Sequence, residues 1–329
     1  MPTDRQPPAE LPALSPTDTP ALGAFSFIGA GAAGGTLARA LAAGGATIAS
    51  VAARRPARAR ALAASLPGCR FAPEPAALVV GAETVVLAVP DDALAPLDRT
   101  LPWRVGQAVI HLSGAHGTDA LPTALAAGAA VAALHPLLSF PRAATDGATA
   151  LAHLRGATWA LETGDAALAR RLGAVVAALG GRIVRLGVGD RVPYHIAAVL
   201  ASNYVVALLG TAVDLWRGFG VEGATAVDAL LPLVRGAVEN LAANGPAMAL
   251  TGPIARGDAG TVAAHLRWLA QPPPAGAAPT GVDRATLAAA YRALARLAIP
   301  LAIARGSLSA SAAEALRALL DAPDAPDAP

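Results

Sequence analysis

The amino-acid sequence predicts a doubly wound α/β domain followed by an all-helical domain, and two observations support this fold class. Between Gly23 and about Gly187, short apolar segments typical of β-strands alternate with helix-like segments. Such alternation is the pattern of a mainly parallel sheet with helices on its faces. Beyond Asp190 the strand-like segments stop, and apolar residues recur at the 3.6-residue period of amphipathic helices.

The predicted strands are apolar runs bounded by glycine, proline or other turn residues. They cover residues 24–29, 47–53, 84–89, 108–112, 130–134, 158–161 and 182–186. Helices between the strands are predicted at 34–43, 58–65, 119–127 and 166–179, and those of the helical domain at 193–219, 224–244, 261–270 and 286–305. The proline-rich stretch 271–281 is predicted to be an exposed loop.

Domain boundaries follow from the same pattern. Residues 23–152 form the core of the sheet domain, and within the remaining region 153–320 the segment 153–187 completes the sheet and 188–320 is all-helical. The ends of the chain, 1–22 and 321–329, are rich in proline and lack periodic apolar residues, so we expect disordered tails. The first twenty residues also lack the apolar stretch of a signal peptide.

Composition excludes several classes of function. All 25 basic residues are arginine and none is lysine, which is typical of a GC-rich bacterial genome and excludes a lysine acid, base or Schiff base. The net charge of only +2, without a basic run, argues against a nucleic-acid surface. Cys69 is the single cysteine, which excludes a disulfide framework or a cysteine metal cluster and favours a reducing cytoplasm.

One segment requires a test for membrane insertion. Residues 192–213 carry no formal charge and are long enough to span a bilayer. The segment contains Pro193, His195, Ser202 and Asn203, and it has no flanking aromatic belt. We therefore predict a buried helix of a helical domain rather than a membrane-spanning segment.

A glycine-rich turn follows the first predicted strand. Gly29, Gly31 and Gly34 form the pattern G-x-G-x-x-G at the mouth of a helix, which is the fingerprint of an NAD(P)-binding Rossmann domain. The three glycines allow a tight turn, the approach of a pyrophosphate and close packing of helix on strand, while the helix N-terminus offers N–H groups to phosphate. The predicted cofactor-binding residues of this turn are Gly29, Ala30, Gly31, Ala32, Ala33 and Gly34.

The end of the second predicted strand indicates which dinucleotide binds. NAD enzymes usually carry an acidic residue there, which bonds the ribose 2′-hydroxyl. This chain has Arg54 and Arg55 instead, and two guanidinium groups suit a 2′-phosphate. The sequence therefore favours NADP over NAD, with the alternative that both arginines are solvated residues of the next helix.

Further candidate residues follow the later strands, whose carboxyl ends meet at one edge of a parallel sheet. Val89, Pro90 and Asp91 end one strand, and Ser113 follows the next. These residues are predicted to contact the cofactor, although roles in turns and helix caps explain Asp91 and Ser113 nearly as well.

Histidine is the natural proton donor in a chain without lysine. His195 and Ser202 are seven residues apart and nearly eclipse on a helix, with Asn203 beside them. We predict that His195 donates a proton while Asn203 orients a substrate, with a structural polar network as the alternative. His135, which follows a predicted strand, is a third catalytic candidate or else a packed turn residue.

Substrate contacts are predicted for Ser202, Thr251 and Arg256. Arg256 is placed either to clamp an anionic group or to pair with Asp258 or Asp190. The sequence shows no pair of histidines at metal-ligand spacing and no second cysteine, so we expect no metal site.

Three motifs carry a resemblance to a known family. They are 133–140 (ALHPLLSF), 194–204 (YHIAAVLASNY) and 250–258 (LTGPIARGD). In this order they resemble the Rossmann-like proteins that carry the domain of unknown function 2520, over almost the whole chain from Gly23 to about Arg305. The resemblance implies kinship with the 6-phosphogluconate-dehydrogenase-like superfamily, which includes coenzyme-F420-dependent NADP reductases, and hence a C-terminal helical domain of that type and a homodimer formed through it.

The chain departs from the lysine-using members of that superfamily. Those enzymes carry a lysine one turn before an asparagine, whereas Val199 stands one turn before Asn203 here. The leading hypothesis is an NADP-dependent oxidoreductase that transfers a hydride to or from a small carbonyl or imine in the cleft between the domains. A non-catalytic NADP-binding sensor or scaffold and hydride exchange between NADP and a flavin-like cofactor are the alternatives.

Overall fold

The computed structural model describes residues 23–140, 145–272 and 281–322. The predicted tail 1–22, most of the tail 321–329 and most of the predicted loop 271–281 lie outside these ranges. The chain divides into two compact units, the first ending at Ser202 and the second beginning at Asn203. The division thus falls later than the predicted start of the helical domain at residue 188.

The described part of the first unit contains an eight-stranded sheet. Its strands are β1 (Ala24–Ile28), β2 (Thr47–Ala52), β3 (Arg70–Phe71), β4 (Thr84–Leu87), β5 (Ala108–His111), β6 (Ala130–Pro136), β7 (Thr158–Glu162) and β8 (Arg182–Arg185). The order across the sheet is β3-β2-β1-β4-β5-β6-β7-β8, and neighbouring strands are parallel except for the antiparallel pair β6–β7. This arrangement confirms the predicted doubly wound class, with its switch point between β1 and β4.

Helices connect and follow these strands. They are α1 (Ala32–Ala43), α2 (Pro56–Ala64), α3 (Pro75–Gly81), α4 (Leu94–Thr100), α5 (Pro122–Ala126), α6 (Gly147–Leu154), α7 (Ala166–Ala178) and α8 (Arg191–Ala201). Small side chains allow close packing of helices on the sheet. One face of the sheet buries Phe25, Leu41 and Trp159, and another cluster buries Leu87 and Leu121.

The second unit is all-helical in its described residues, as predicted. It consists of α9 (Asn203–Arg217), α10 (Gly223–Ala249), α11 (Pro253–Arg256), α12 (Ala259–Ala270), α13 (Arg284–Ala304) and α14 (Ala310–Asp321). Ile254, Leu266, Ile299 and Leu316 form its buried core. Side-chain caps begin several of these helices, as when Asp258 accepts the N–H of Thr261 at the start of α12.

The differences from the predicted elements have local causes. The strand β3, which has only two residues, was not predicted. The helices α3, α4, α6, α11 and α14 were not predicted either. The predicted helix 119–127 is instead a 3₁₀ turn at Thr118–Ala120 followed by α5, because Pro122 suits the first turn of a helix and not its interior. The predicted helix 193–219 is two helices, since the backbone of Ser202 (φ −127°, ψ −71°) is not helical.

The predicted buried helix at 192–213 is wrong in one respect, because much of it is exposed. The stretch Arg191–Arg217, which includes α8 and α9, is long and apolar enough to cross a bilayer by length and composition alone, and so is Arg284–Ala304. Within the first stretch, only 6% of its apolar 18-residue segment is buried, and Val206 is 71% exposed. Periodic apolar residues identify a helix face that is expected to be buried, but they do not identify the surface that buries it.

A buried arginine at the start of α8 joins this helix to the sheet. The Arg191 side chain donates to Oε2 of Glu162 at 3.1 Å, to the Ala133 carbonyl at 2.7 Å and to the Ser113 carbonyl at 3.4 Å. Arg191 is 4% exposed, so its charge is balanced by Glu162 and dispersed over two carbonyls. The contacts hold the first turn of α8 against the ends of β5, β6 and β7.

We expect Arg191→Ala to lower the free energy of unfolding by about 3–5 kcal/mol, because the change removes the positive partner of the largely buried Glu162 carboxylate and leaves it only its hydrogen bonds from Thr118. The matched control is Arg217→Ala, which removes an exposed ion pair with Asp214 and should cost less than about 1 kcal/mol. Urea unfolding followed by circular dichroism and tryptophan fluorescence measures both losses. Equal, small losses in the two variants would contradict the anchoring role of Arg191.

Candidate functional site

The glycine-rich turn joins β1 to α1, and each glycine has a distinct steric reason. Gly29 has a φ of +117°, and a side chain there would collide with the Ala88 carbonyl. A Cβ at Gly34 would lie 2.5 Å from the Gly29 carbonyl oxygen and 2.6 Å from the Ala88 Cβ. Beside Gly31, by contrast, no atom from the described part of the chain lies within 4 Å of the Cβ position. The turn therefore needs Gly29 and Gly34 for folding, whereas Gly31 leaves space for a ligand.

An open cleft of about 670 Å³ lies in front of this turn. The N-terminus of α1 forms part of its lining, and no side chain of the described residues caps that helix end, so its N–H groups are available to an anion. The lining residues are Ala30, Gly31, Ala32, Gly35, Thr36, Arg39, Arg55, Arg58, Ala61, Leu62 and Thr145. Backbone N–H donors and three guanidinium groups thus border one cleft, which suits the phosphates of a dinucleotide.

The arginines of the cleft differ in part from those predicted. Arg55 lines the cleft as expected, together with Arg58 of α2 and Arg39 of α1. Arg54 is exposed and is not among the lining residues. Arg39 donates to the Gly35 carbonyl at 3.3 Å, while its Nε is buried and has no hydrogen-bond partner among the described residues. Arg58 could have been identified from the run Arg-Pro-Ala-Arg at 55–58, because Arg55 is the N-cap of α2 and Arg58 lies in its first turn.

The residues after β4 and β5 lie at the carboxyl edge of the sheet, as predicted. Val89 and Pro90 follow β4, and Asp91 begins a short 3₁₀ turn with its side chain exposed. The Ser113 hydroxyl, after β5, accepts the N–H groups of Ala115 and His116 at 3.2 and 3.1 Å. Its described contacts are therefore those of a turn residue, which is the alternative considered from the sequence.

His111, at the end of β5, has a structural role in the same loop. Its Nε2 donates to the Gly117 carbonyl at 2.9 Å and its Nδ1 accepts the Ser113 N–H at 3.3 Å. Burial lowers the pKa of His111 to about 4, so the ring is neutral near pH 7 and can fill both roles.

Two further histidines meet at the carboxyl end of β6. His135 of β6 and His195 of α8 have ring centroids 6.4 Å apart, and the Nδ1 of His135 lies 2.7 Å from the Tyr194 hydroxyl. Burial, and to a smaller extent the positive charge of Arg191, lowers the pKa of His135 to about 4. A neutral imidazole therefore stands at the edge of the sheet that faces the crevice of a doubly wound domain.

Gly114, after β5, lies against both rings. A Cβ at this position would be 2.8 Å from the Nδ1 of His195 and 2.9 Å from the Nε2 of His135. The Nδ1 of His195 is buried and has no hydrogen-bond partner among the described residues. Two imidazole nitrogens thus converge on one small volume, and one of them is unsatisfied.

The other predicted site residues belong to different units, Ser202 to the first and Asn203, Thr251 and Arg256 to the second. The Ser202 hydroxyl lies 3.1 Å from the Ser139 hydroxyl, and because Ser202 is not helical, it does not continue the face that carries His195. Asn203 begins α9 of the second unit and is exposed, and so are Thr251 and Arg256 of that unit. Asp258, the predicted partner of Arg256, instead caps α12 through both oxygens with Thr261.

Sequence reasoning missed Tyr194 and the pair Arg191–Glu162. The run Arg-Val-Pro-Tyr-His at 191–195 contains three polar side chains within one turn or so of a helix start, and this density is the available signal. Glu162 gives no such signal, because its pairing depends on the sheet. Within the described part of the chain, no group of three or more His, Cys, Asp or Glu side chains is placed to hold a metal ion.

Comparison with solved structures finds the same fold in several oxidoreductases. A Bacteroides fragilis protein provisionally assigned as an NADP oxidoreductase matches with 22% identity and a TM-score of 0.66, covering 84% of this chain and 98% of that chain. The Thermotoga maritima protein TM1727 matches with 21% identity and a TM-score of 0.62, covering 86% and 99%. A reductive aminase of Aspergillus terreus, bound to NADPH and ethyl levulinate, matches with 15% identity and a TM-score of 0.55, covering 90% and 92%. At these identities the likeness shows the fold.

Sequence comparison finds two domain models that match successive parts of the chain. A search of curated proteins finds no match. The model of the Rossmann-like domain matches residues 12–136, and the model of the domain of unknown function DUF2520 matches residues 157–298. The chain thus matches a Rossmann-like domain followed by a DUF2520 domain, in the order that the sequence motifs indicated.

Proposed function

We propose that this protein is an NADP-dependent oxidoreductase that transfers a hydride to or from a small carbonyl or imine substrate. The observation that carries the proposal is the cleft at the glycine-rich turn, where the N-terminus of α1 and three arginines meet. The relatives of known structure include NADPH-bound and NADP-bound reductases, which supports the same general chemistry.

The cofactor would be held by residues of the first unit. The backbone from Gly29 to Gly34 would receive the pyrophosphate, and Arg55, Arg58 and Arg39 would receive the 2′-phosphate. When bound, NADP supplies the site with a nicotinamide ring that gives or takes the hydride. The chain itself would orient the substrate and supply or remove the accompanying proton.

His135 and His195 are the proposed acid–base residues, because they converge beside Gly114 at the carboxyl edge of the sheet. Asn203, Ser202, Thr251 and Arg256 remain candidates for orienting the substrate. A non-catalytic NADP sensor would need no such convergence of imidazole nitrogens, and this observation favours catalysis. We place the protein in the cytoplasm because its only cysteine, Cys69, is a free thiol.

Cofactor choice is tested by binding affinity. We expect Arg55→Ala to raise the Kd for NADPH about 10–100-fold and to leave the Kd for NADH nearly unchanged, because charge-assisted bonds to the 2′-phosphate are lost. Arg54→Ala is the matched control, since Arg54 lies outside the cleft lining, and it should change neither value by more than about twofold. Isothermal titration calorimetry gives all the constants. Equal affinities of the wild type for NADPH and NADH would refute the choice of NADP.

Catalysis is tested by NADPH consumption at 340 nm with a panel of small aldehydes, ketones, cyclic imines and deazaflavin acceptors. On the substrate that is turned over, His135→Gln and His195→Gln should lower kcat about 10²–10⁴-fold. Asn203→Ala tests the orienting role, and His116→Gln is the control at an exposed histidine. Tight NADPH binding without turnover of any acceptor would favour the sensor, and full activity in both histidine variants would rule out their role.

A homodimer formed through the helical domain is the proposed assembly. In the second unit, α9 and α10 pack together, and both expose large apolar side chains: Val205, Val206, Leu208, Leu233, Val238 and Leu241. Apolar surfaces of this kind mark interfaces, and a second copy of the chain is the commonest partner.

Light scattering after size-exclusion chromatography should give twice the 32.5 kDa mass of the chain. Val206→Asp combined with Leu233→Asp should give a monomer, because each places a charge on an exposed apolar side chain. Replacing Val105, which is exposed in the first unit, with Asp should leave the dimer intact. A monomeric wild type, or one that sediments with lipid vesicles, would contradict the dimer.

A further inference from the structure

A tyrosine that lies outside the predicted site contacts one of the two converging histidines. The hydroxyl of Tyr194, on the first turns of α8, is 2.7 Å from the Nδ1 of His135. The two rings are nearly perpendicular, at 84°, with centroids 5.7 Å apart. The distance is typical of a strong hydrogen bond, and it fixes both side chains relative to each other.

The direction of this hydrogen bond follows from the chemistry of the two groups. A neutral imidazole has one N–H donor and one acceptor nitrogen, and His135 is neutral near pH 7 because burial lowers its pKa to about 4. A phenol O–H is a stronger donor than an imidazole N–H, and the bare imidazole nitrogen is a stronger acceptor than the phenol oxygen. The Tyr194 O–H therefore donates to Nδ1, and the proton of His135 resides on Nε2.

The Nε2 of His135 and the Nδ1 of His195 converge on Gly114. Both nitrogens lie within 2.9 Å of the position that a Cβ of residue 114 would occupy, so a side chain there would collide with both rings. The Nδ1 of His195 is buried and unpartnered among the described residues, although buried nitrogens are normally satisfied. The Nε2 of His135 and the unpartnered Nδ1 of His195 thus lie side by side next to Gly114.

We propose that Tyr194 is a positioning residue that holds His135 as its Nε2–H tautomer, so that His135 and His195 bind one hydroxyl or amino group of the substrate beside Gly114. Such a group accepts a hydrogen bond from the Nε2–H of His135 and donates its own hydrogen to the Nδ1 of His195. The tautomer is a property of the folded chain, whereas its use in reduction rests on the proposed function.

The proton balance of a reduction follows from this arrangement. With a nicotinamide cofactor bound, transfer of its hydride to the substrate carbon would move the electron pair of the C=O or C=N bond to the heteroatom. That heteroatom takes the proton from the Nε2 of His135, while the Nδ1 takes the proton of Tyr194. The Nε2 of His135 then takes a proton from water while the Nδ1 proton returns to the tyrosinate, which restores the Tyr194 O–H and the starting tautomer of His135.

Nitrogen NMR of the full-length chain labelled with ¹⁵N-histidine tests the tautomer, with His135→Gln assigning the signals. We expect a protonated Nε2 and a bare Nδ1 for His135 at pH 7, and a mixture of both tautomers in Tyr194→Phe. A protonated Nδ1 in the wild type, or an unchanged tautomer in Tyr194→Phe, would overturn the proposal. An unchanged Kd for NADPH shows that the variant is folded.

The chain provides a matched control in its second unit. The Nδ1 of His265 lies 2.8 Å from the Tyr291 hydroxyl with the same perpendicular geometry, at 86°. Tyr291→Phe should alter the His265 signals alone and leave turnover unchanged. Tyr194→Phe should lower kcat about 10–100-fold with KM nearly constant, whereas Gly114→Ala, which puts a methyl between the two nitrogens, should raise KM.

The NMR and kinetic measurements distinguish a failure of the proposed function from a failure of the positioning role. If the wild type reduces no substrate but the tautomer depends on Tyr194, the proposed function fails and the positioning role stands. If turnover is found and Tyr194→Phe retains full kcat with an unchanged His135 tautomer, the positioning role fails and the proposed function stands.

Discussion

The buried guanidinium of Arg191 is the contact on which the arrangement of the histidines depends. It links the first turn of α8 to Glu162 at the end of β7 and to carbonyls of Ala133 in β6 and Ser113 after β5. A buried ion pair gains little net stability over an apolar pair, but it defines geometry sharply, because any displacement leaves a charge unsatisfied. Tyr194 and His195 follow within one turn, so the position of Arg191 also sets where these two side chains meet His135.

The same charge has an electrostatic effect. Arg191 contributes, after burial, to the lowered pKa of His135, which keeps that imidazole neutral in the physiological range. A neutral ring can donate from one nitrogen and accept at the other, whereas an imidazolium can only donate. The structural anchor of α8 and the chemical state of His135 thus have a shared cause, and catalysis without lysine is chemically reasonable on this basis.

Most of the fold of the first unit could be predicted from the sequence, because its strands are apolar runs and its turns require glycine. Gly29 and Gly34 were identified from spacing alone, and the structure shows the steric reason for each. Helix breaks were harder to predict, since the kink at Ser202 depends on backbone geometry that periodic apolar residues do not encode. For the same reason, the expected alignment of His195 with Ser202 on one helix was wrong.

The residues of the candidate site could likewise be predicted only in part. His135, His195 and Arg55 were predicted, because rare polar residues near strand ends and helix starts are visible in a chain rich in alanine. Glu162 and Tyr194 were not predicted, since their partners lie 29 and 59 positions away and only the sheet topology brings each pair together. Arg39 was not predicted either, although its hydrogen bond is to Gly35, four positions away. Exposure of α9 likewise depends on which surfaces a partner covers, and the sequence of one chain does not specify this.

A crystal structure of the full chain with NADP bound tests the central claim most directly. The adenosine 2′-phosphate should lie within hydrogen-bonding distance of the guanidinium groups of Arg55 and Arg58, with the pyrophosphate on the backbone of Gly31 and Ala32. The nicotinamide should lie at the carboxyl edge of β4 and β5, about 3–4 Å from a substrate position that the Nε2 of His135 can reach. A nicotinamide directed away from His135, or a 2′-phosphate in solvent with Arg55 unengaged, would contradict the assignment.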